Sequence, residues 1–170
     1  RLWNACTATG IAPKDYAKPF DTITVCLSKA LGAPVGSVIA SSRELIAKAR
    51  RRRKQLGGGM RQVGILASAG IYALEHHLEL LKQDHENAKL FAQCIAQSEQ
   101  ILISLENVET NIVIFRLSDK IEQLEFIQKC QDSGLRIIPM GGGLIRAVFH
   151  FQISREDTKK AIEIILQATK

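Results

Sequence analysis

Residues 22–42, TITVCLSKALGAPVGSVIASS, decide how this chain is read. Two apolar, β-branched runs, residues 22–27 and 35–40, read as strands that pair with each other. Their connection carries Lys29 among Gly32, Pro34 and Gly36. Val25, Cys26, Leu27, Ala30 and Leu31 flank the lysine, so its neighbours are expected to pack and its amine to sit in a partly dry place. Desolvation lowers a lysine's pKa, and a neutral amine condenses with an aldehyde. A Schiff base with pyridoxal 5'-phosphate (PLP) requires that chemistry. Lys29 is also one of 23 Lys and Arg residues, most of which must be solvated, and context alone leaves both readings open.

The wording of the segment adds a second line of argument. CLSKALGAPVGS (residues 26–37) resembles the PLP-lysine segment of the threonine aldolases. RLWNA (residues 1–5) and RKQLGGGMRQVGILASAGIYALEHH (residues 53–77) match the same family in the same order, and a weaker likeness continues through LIRAVFHF (residues 144–151). The resemblance implies an α/β chain of PLP fold type I. Residues 1–82 would be the C-terminal part of the PLP-binding large domain, and residues 83–170 a small α+β C-terminal domain. Family chains carry a long N-terminal part before the RLWNA segment, so the chain reads as the C-terminal half of such an enzyme. Its start on Arg1 rather than Met supports a fragment.

The resemblance also implies roles. Lys29 would be the catalytic Schiff-base lysine, and Arg1 would reach the cofactor's ring oxygen and the substrate carboxylate. Arg146 would clamp the amino-acid α-carboxylate. Arg61 and Lys54 resemble residues near the cofactor phosphate or the active-site mouth. Ser28 can offer its hydroxyl or backbone to the phosphate, although a plain strand-end serine explains it nearly as well. The family's pyridine-nitrogen acid and its active-site histidines align before residue 1. The parent would cleave L-threonine or L-allo-threonine to glycine and acetaldehyde as a cytoplasmic homo-oligomer, a dimer or tetramer, and the 170-residue chain is expected to be inactive without the N-terminal half. Two alternatives stand beside this. One is another fold type I enzyme, such as a serine hydroxymethyltransferase or an aminotransferase, against which GGGMRQ argues. The other is a non-catalytic dimerising fragment.

Composition bounds these readings. Apolar residues make up 46% of the chain, too many for a disordered segment. No apolar run reaches membrane-span length, and the first residues lack a charged region followed by a hydrophobic core. Cys6, Cys26, Cys94 and Cys130 lie among apolar neighbours without close pairing and are expected as buried, reduced thiols. The net charge of +6 is concentrated: Arg43, Lys48, Arg50, Arg51, Arg52, Arg53, Lys54 and Arg61 face Glu44 alone, which leaves the rest near neutral. That distribution, with only 5% aromatics, argues against a nucleic-acid binder.

Periodicity supplies the remaining expectations. Ser41 and Glu44 read as a capping box opening a helix over residues 42–54, broken by Gly57, Gly58 and Gly59. One long helix is predicted over residues 60–96, with Val63, Leu66, Gly70, Leu74, Leu78 and Leu81 on its packed face. Strands follow at residues 110–117, 135–139 and 144–151. A helix at 120–133 shows Ile121, Leu124, Ile127 and Cys130 on one side, and Ser154 with Asp157 opens the last helix. Arg146, charged inside an apolar alternating strand, must reach solvent or bind a counter-charge. Arg1, Arg61 and Lys54 each have the plainer reading of a solvated basic group. His76, His77 and His85 lack metal-ligand spacing and read as surface or hinge residues.

Overall fold

The computed structural model describes residues Arg1–Lys170 and divides into two compact units, Arg1–Leu80 and Leu81–Lys170. The first contains α1 (Leu2–Thr9), α2 (Pro13–Ala17), β1 (Thr22–Cys26), β2 (Ser37–Ser41), α3 (Arg43–Gln55) and α4 (Gly64–His76). β1 and β2 are antiparallel, with Thr22 opposite Ser41 and Cys26 opposite Ser37. The loop between them holds Lys29.

The predicted capping box is shifted by one residue. Ser41 stays in β2 opposite Thr22, and its hydroxyl donates to the Asp21 carbonyl at 2.5 Å. Ser42 caps α3 instead, its Oγ accepting from the Leu45 N–H at 3.3 Å, while Glu44 pairs with Lys48 at 2.6 Å. Strand pairing thus outbids the local signal for Ser41. α3 then ends at the glycine triplet, where Gly57 adopts a φ of +78°.

The single long helix is corrected as well. α4 stops at His76, residues 77–80 form a turn, and α5 begins at Leu81. Gly70 and Ala73 are buried in α4, whereas Val63, Ile65, Ile71 and Tyr72 are exposed. The 3.6-residue apolar period continues across the turn, so hydrophobicity alone does not report the break.

The second unit contains α5 (Leu81–Ile95), β3 (Ile101–Leu102), β4 (Ile112–Leu117), α6 (Gln123–Asp132), β5 (Ile138–Pro139), β6 (Leu144–Val148) and α7 (Arg155–Ala168). Its sheet has the order β3-β4-β6-β5, antiparallel throughout. Val113, Phe115 and Ile145 point inward and meet Phe91 and Ile95 of α5, Phe126 and Cys130 of α6, and Ile162 and Ile165 of α7. The Phe91 ring lies 5.4 Å from Phe149 and 6.4 Å from Phe115. Each such side chain contributes roughly 1.5–3 kcal/mol on burial, so this cluster is where the unit's stability resides.

Period-two alternation puts Ile114, Arg116 and Arg146 on the opposite face. Arg146 pairs in register with Ile114 on one side and Ile138 on the other, both well exposed. α6 starts later than predicted, after Glu122 as its cap, and its core side is Phe126 and Cys130 while Leu124 faces solvent. It ends as read: Gly134 has a φ of +87°, its N–H meets the Gln131 carbonyl, and that of Leu135 meets Cys130. These two hydrogen bonds satisfy carbonyls that the helix end would leave open. β5 and β6 are shorter than expected at the ends away from their connection, β5 starting only at Ile138 and β6 ending at Val148, while Gly141, Gly142 and Gly143 in the connection all take positive φ. The Ser154–Asp157 capping box forms with both reciprocal bonds.

All four cysteines are free thiols, but only Cys130 is buried; Cys6, Cys26 and Cys94 are half-buried. No helix is long and apolar enough to cross a membrane. No group of three or more His, Cys, Asp or Glu is arranged to hold a metal ion.

Candidate functional site

The β1–β2 loop packs apolar residues on both sides of Ser28 and Lys29. Leu27, Ala30, Leu31 and Ala33 are buried, while Ser28 and Lys29 are exposed. The loop closes on itself through the Leu27 N–H to the Gly36 carbonyl at 3.0 Å, Gly32 to Lys29 at 2.9 Å, and Ala33 to Leu27 at 3.1 Å. Gly32 (φ +66°) and Gly36 (φ +119°) take backbone conformations that side chains disfavour. The expected dry setting for the lysine amine is not what these residues provide. Its neighbours are packed, but the turn directs Lys29 itself outward to where a ligand can reach it.

Ser28 and Cys26 lie beside it, with the Ser28 hydroxyl 3.4 Å from the Cys26 sulfur. That hydrogen bond is the largest influence holding the Cys26 thiol below its ordinary pKa, and the nearby Lys29 charge adds to it. Arg1 is exposed at the start of α1. The charges of Cys26 and Lys29 are both felt at the Arg1 backbone nitrogen. Arg1 therefore lies within electrostatic reach of the Lys29 loop.

Lys54 and Arg61 are both exposed, on the last turn of α3 and just beyond the glycine triplet. The chain folds back closely there. A Cβ at Gly58 would stand 3.0 Å from Arg53 Cγ, and one at Gly59 3.4 Å from Lys54 Cδ. The stems of Arg53 and Lys54 thus lie over these glycines, most closely at Gly58. The contacts that tie the Lys29 loop to α4 run elsewhere, through Gly70 and His77. A Cβ at Gly70 would be 3.0 Å from Leu27 Cδ1, and His77 Nδ1 lies 2.6 Å from the Leu31 carbonyl.

Arg146 belongs to the second unit. It is half-buried, and its Nε is shielded from water without a hydrogen-bond partner. A buried N–H left unpaired is costly, and this Nε can give one hydrogen bond to an acceptor. A carboxylate fits that geometry, since a planar guanidinium can give it two parallel hydrogen bonds.

Of the three histidines read as surface or hinge residues, His85 departs from that reading. His76 is exposed and packs on Tyr72 with ring centroids 4.3 Å apart, but His85 is buried and His77 is engaged with the Leu31 carbonyl. Burial lowers the pKa of His85, and Lys89 lowers it further. Nothing in the HHLEL run distinguishes His77 from His76, because the carbonyl that His77 engages lies 46 residues away in the chain.

Comparison with known proteins bears on the family and the fold. The family model of the beta-eliminating lyases matches residues 1–119. Low-specificity L-threonine aldolase 1 of Arabidopsis thaliana is 39% identical over 170 residues, covering 99% of this chain and 48% of the relative. A Listeria monocytogenes structure provisionally named an L-allo-threonine aldolase superposes with a TM-score of 0.80 at 13% identity, covering 99% of this chain and 50% of its own. A PLP-dependent aminotransferase of Streptococcus suis superposes at 0.65, with 16% identity, 86% of this chain and 41% of its own. The fold is therefore α/β and of the PLP type I kind, and the chain spans about half the length of the relatives it matches. By the match over residues 1–119, this chain belongs to the beta-eliminating lyase family.

Proposed function

We propose that the chain is the C-terminal half of a PLP-dependent threonine aldolase, an aldehyde-lyase that cleaves L-threonine or L-allo-threonine to glycine and acetaldehyde. The observation that carries this is Lys29, an exposed amine on a loop of buried neighbours within CLSKALGAPVGS. PLP, when bound, supplies an aldehyde for an amine and a ring that accepts electron density from the substrate's Cα. Lys29 would hold the cofactor through its amine, with the Ser28 hydroxyl as a phosphate donor beside it. Lys54 and Arg61, close to the glycine triplet, would supply positive charge to the phosphate or the mouth of the site, and Arg1 would help at the substrate carboxylate. Arg146 would take the α-carboxylate on its unpaired Nε–H and a second guanidinium N–H, fixing the substrate's orientation.

In this reading residues 1–82 belong to the large, cofactor-binding domain and residues 83–170 to the small one. The activity is proposed for a homo-oligomeric polypeptide that includes the other half of the relatives' length. Borohydride reduction of the PLP-loaded full-length protein, followed by peptide mapping, tests the assignment. The expected label is on Lys29, and a label on any other lysine would refute it.

A further inference from the structure

We propose that His77 is a positioning residue for Lys29. Through its Nδ1–H it holds the carbonyl of Leu31, and with it the loop that presents the lysine. This rests on the reading of Lys29 as the cofactor lysine.

The loop's backbone hydrogen bonds give it a shape but tie it only to itself, between Leu27 and Gly36, Lys29 and Gly32, and Leu27 and Ala33. None of them ends on the Leu31 carbonyl. Leu31 is fully buried, at 0% exposure, and a carbonyl at such a position needs a donor. His77, 46 residues later, provides it at 2.6 Å. A carbonyl oxygen can only accept, so Nδ1 must carry the proton, in the neutral Nδ1–H form or in the cation.

His77 is well placed for this. Its backbone N–H still closes on the Ala73 carbonyl at 3.0 Å, yet α4 has ended at the residue before it. Tyr72 meets its ring edge-on with centroids 5.6 Å apart, which restricts the imidazole's orientation. The second anchor is packing: Leu27 lies against Gly70, where an added Cβ would stand only 3.0 Å from Leu27 Cδ1. The two anchors bracket Lys29, one on each side in sequence. Removing the histidine frees the side of the loop two residues from the lysine. Small misplacements of a reacting group cost up to about a hundredfold in rate.

Three forms of the full-length protein test the idea: wild type, His77→Leu, and His77→Asn, whose side-chain amide can take the place of Nδ1–H. Hydrogen exchange of residues 28–33 is measured without PLP. The absorbance band of PLP bound to the protein is then titrated with pH. In His77→Leu, exchange in the loop should rise about tenfold or more while the first turns of α4 keep their protection, and the band should titrate at a different pH. His77→Asn should resemble wild type in both readouts. Equal behaviour of the two variants, or unchanged loop exchange in His77→Leu, would overturn the proposal. If His77→Leu fails to fold, 15N spectra of the wild-type histidines decide: a proton on Nδ1 of His77 supports it, and a proton on Nε2 alone refutes it. A borohydride label away from Lys29 would overturn the role toward that lysine while the exchange result still reports on the loop, so the two failures are distinguishable.

Discussion

Asp84 offers a quantitative test of the second unit. It lies in the first turn of α5, is only 1% exposed, and its Oδ2 is buried without a hydrogen-bond partner. Burial raises its pKa from 3.8 to about 6. At roughly 1.4 kcal/mol per tenfold change in proton affinity, this corresponds to about 3 kcal/mol. The folded state thus binds the proton more tightly than the unfolded state. The favourable contribution is fully present below the unfolded value of 3.8 and is lost as pH rises through about 6. Above that the folded protein carries a desolvated carboxylate. Asp84→Asn in the full-length protein keeps the shape and removes the ionisation. Urea unfolding at about pH 4 should show variant and wild type close together; at about pH 7 the variant should be more stable by up to about 3 kcal/mol. Other titrating groups cancel in the difference. A variant whose stability follows the wild-type pH profile unchanged, or which is the weaker protein near neutrality, would refute the reasoning.

Other expectations follow from single groups. Arg146→Lys in the full-length protein should raise KM or lower kcat/KM for threonine about tenfold, roughly 1.4 kcal/mol, since a lysine cannot reproduce a two-bond carboxylate grip. PLP affinity should barely change; loss of cofactor with KM unaffected would make Arg146 a phosphate ligand. Gly134→Ala meets nothing within 4 Å but must adopt a φ of +87°. It should therefore cost about 1–2 kcal/mol in urea unfolding through the backbone alone, and no loss would refute the αL requirement.

The sequence by itself determined what depends on near neighbours. Apolar β-branched runs and the Gly/Pro loop located the β1–β2 pair around Lys29, Ser154 and Asp157 located the start of α7, and Gly134 the end of α6. These signals are local: a strand face, a cap or a positive φ is decided by a few residues. The segments quoted around Lys29 also pointed to PLP enzymes, and the fold agrees. Tertiary structure decided the rest. It moved the α3 cap from Ser41 to Ser42, because strand pairing claimed Ser41. It divided the long helix at His77 without any glycine or proline to announce the break. It left Lys29 exposed although every apolar neighbour suggested otherwise, because burial of a flanking residue does not fix the direction of the side chain between. It also gave His77 its partner 46 residues away and left the buried Nε of Arg146 unpaired. A residue's hydrogen-bond partner and its access to water are properties of what lies across the fold, and neither is written in the residues beside it.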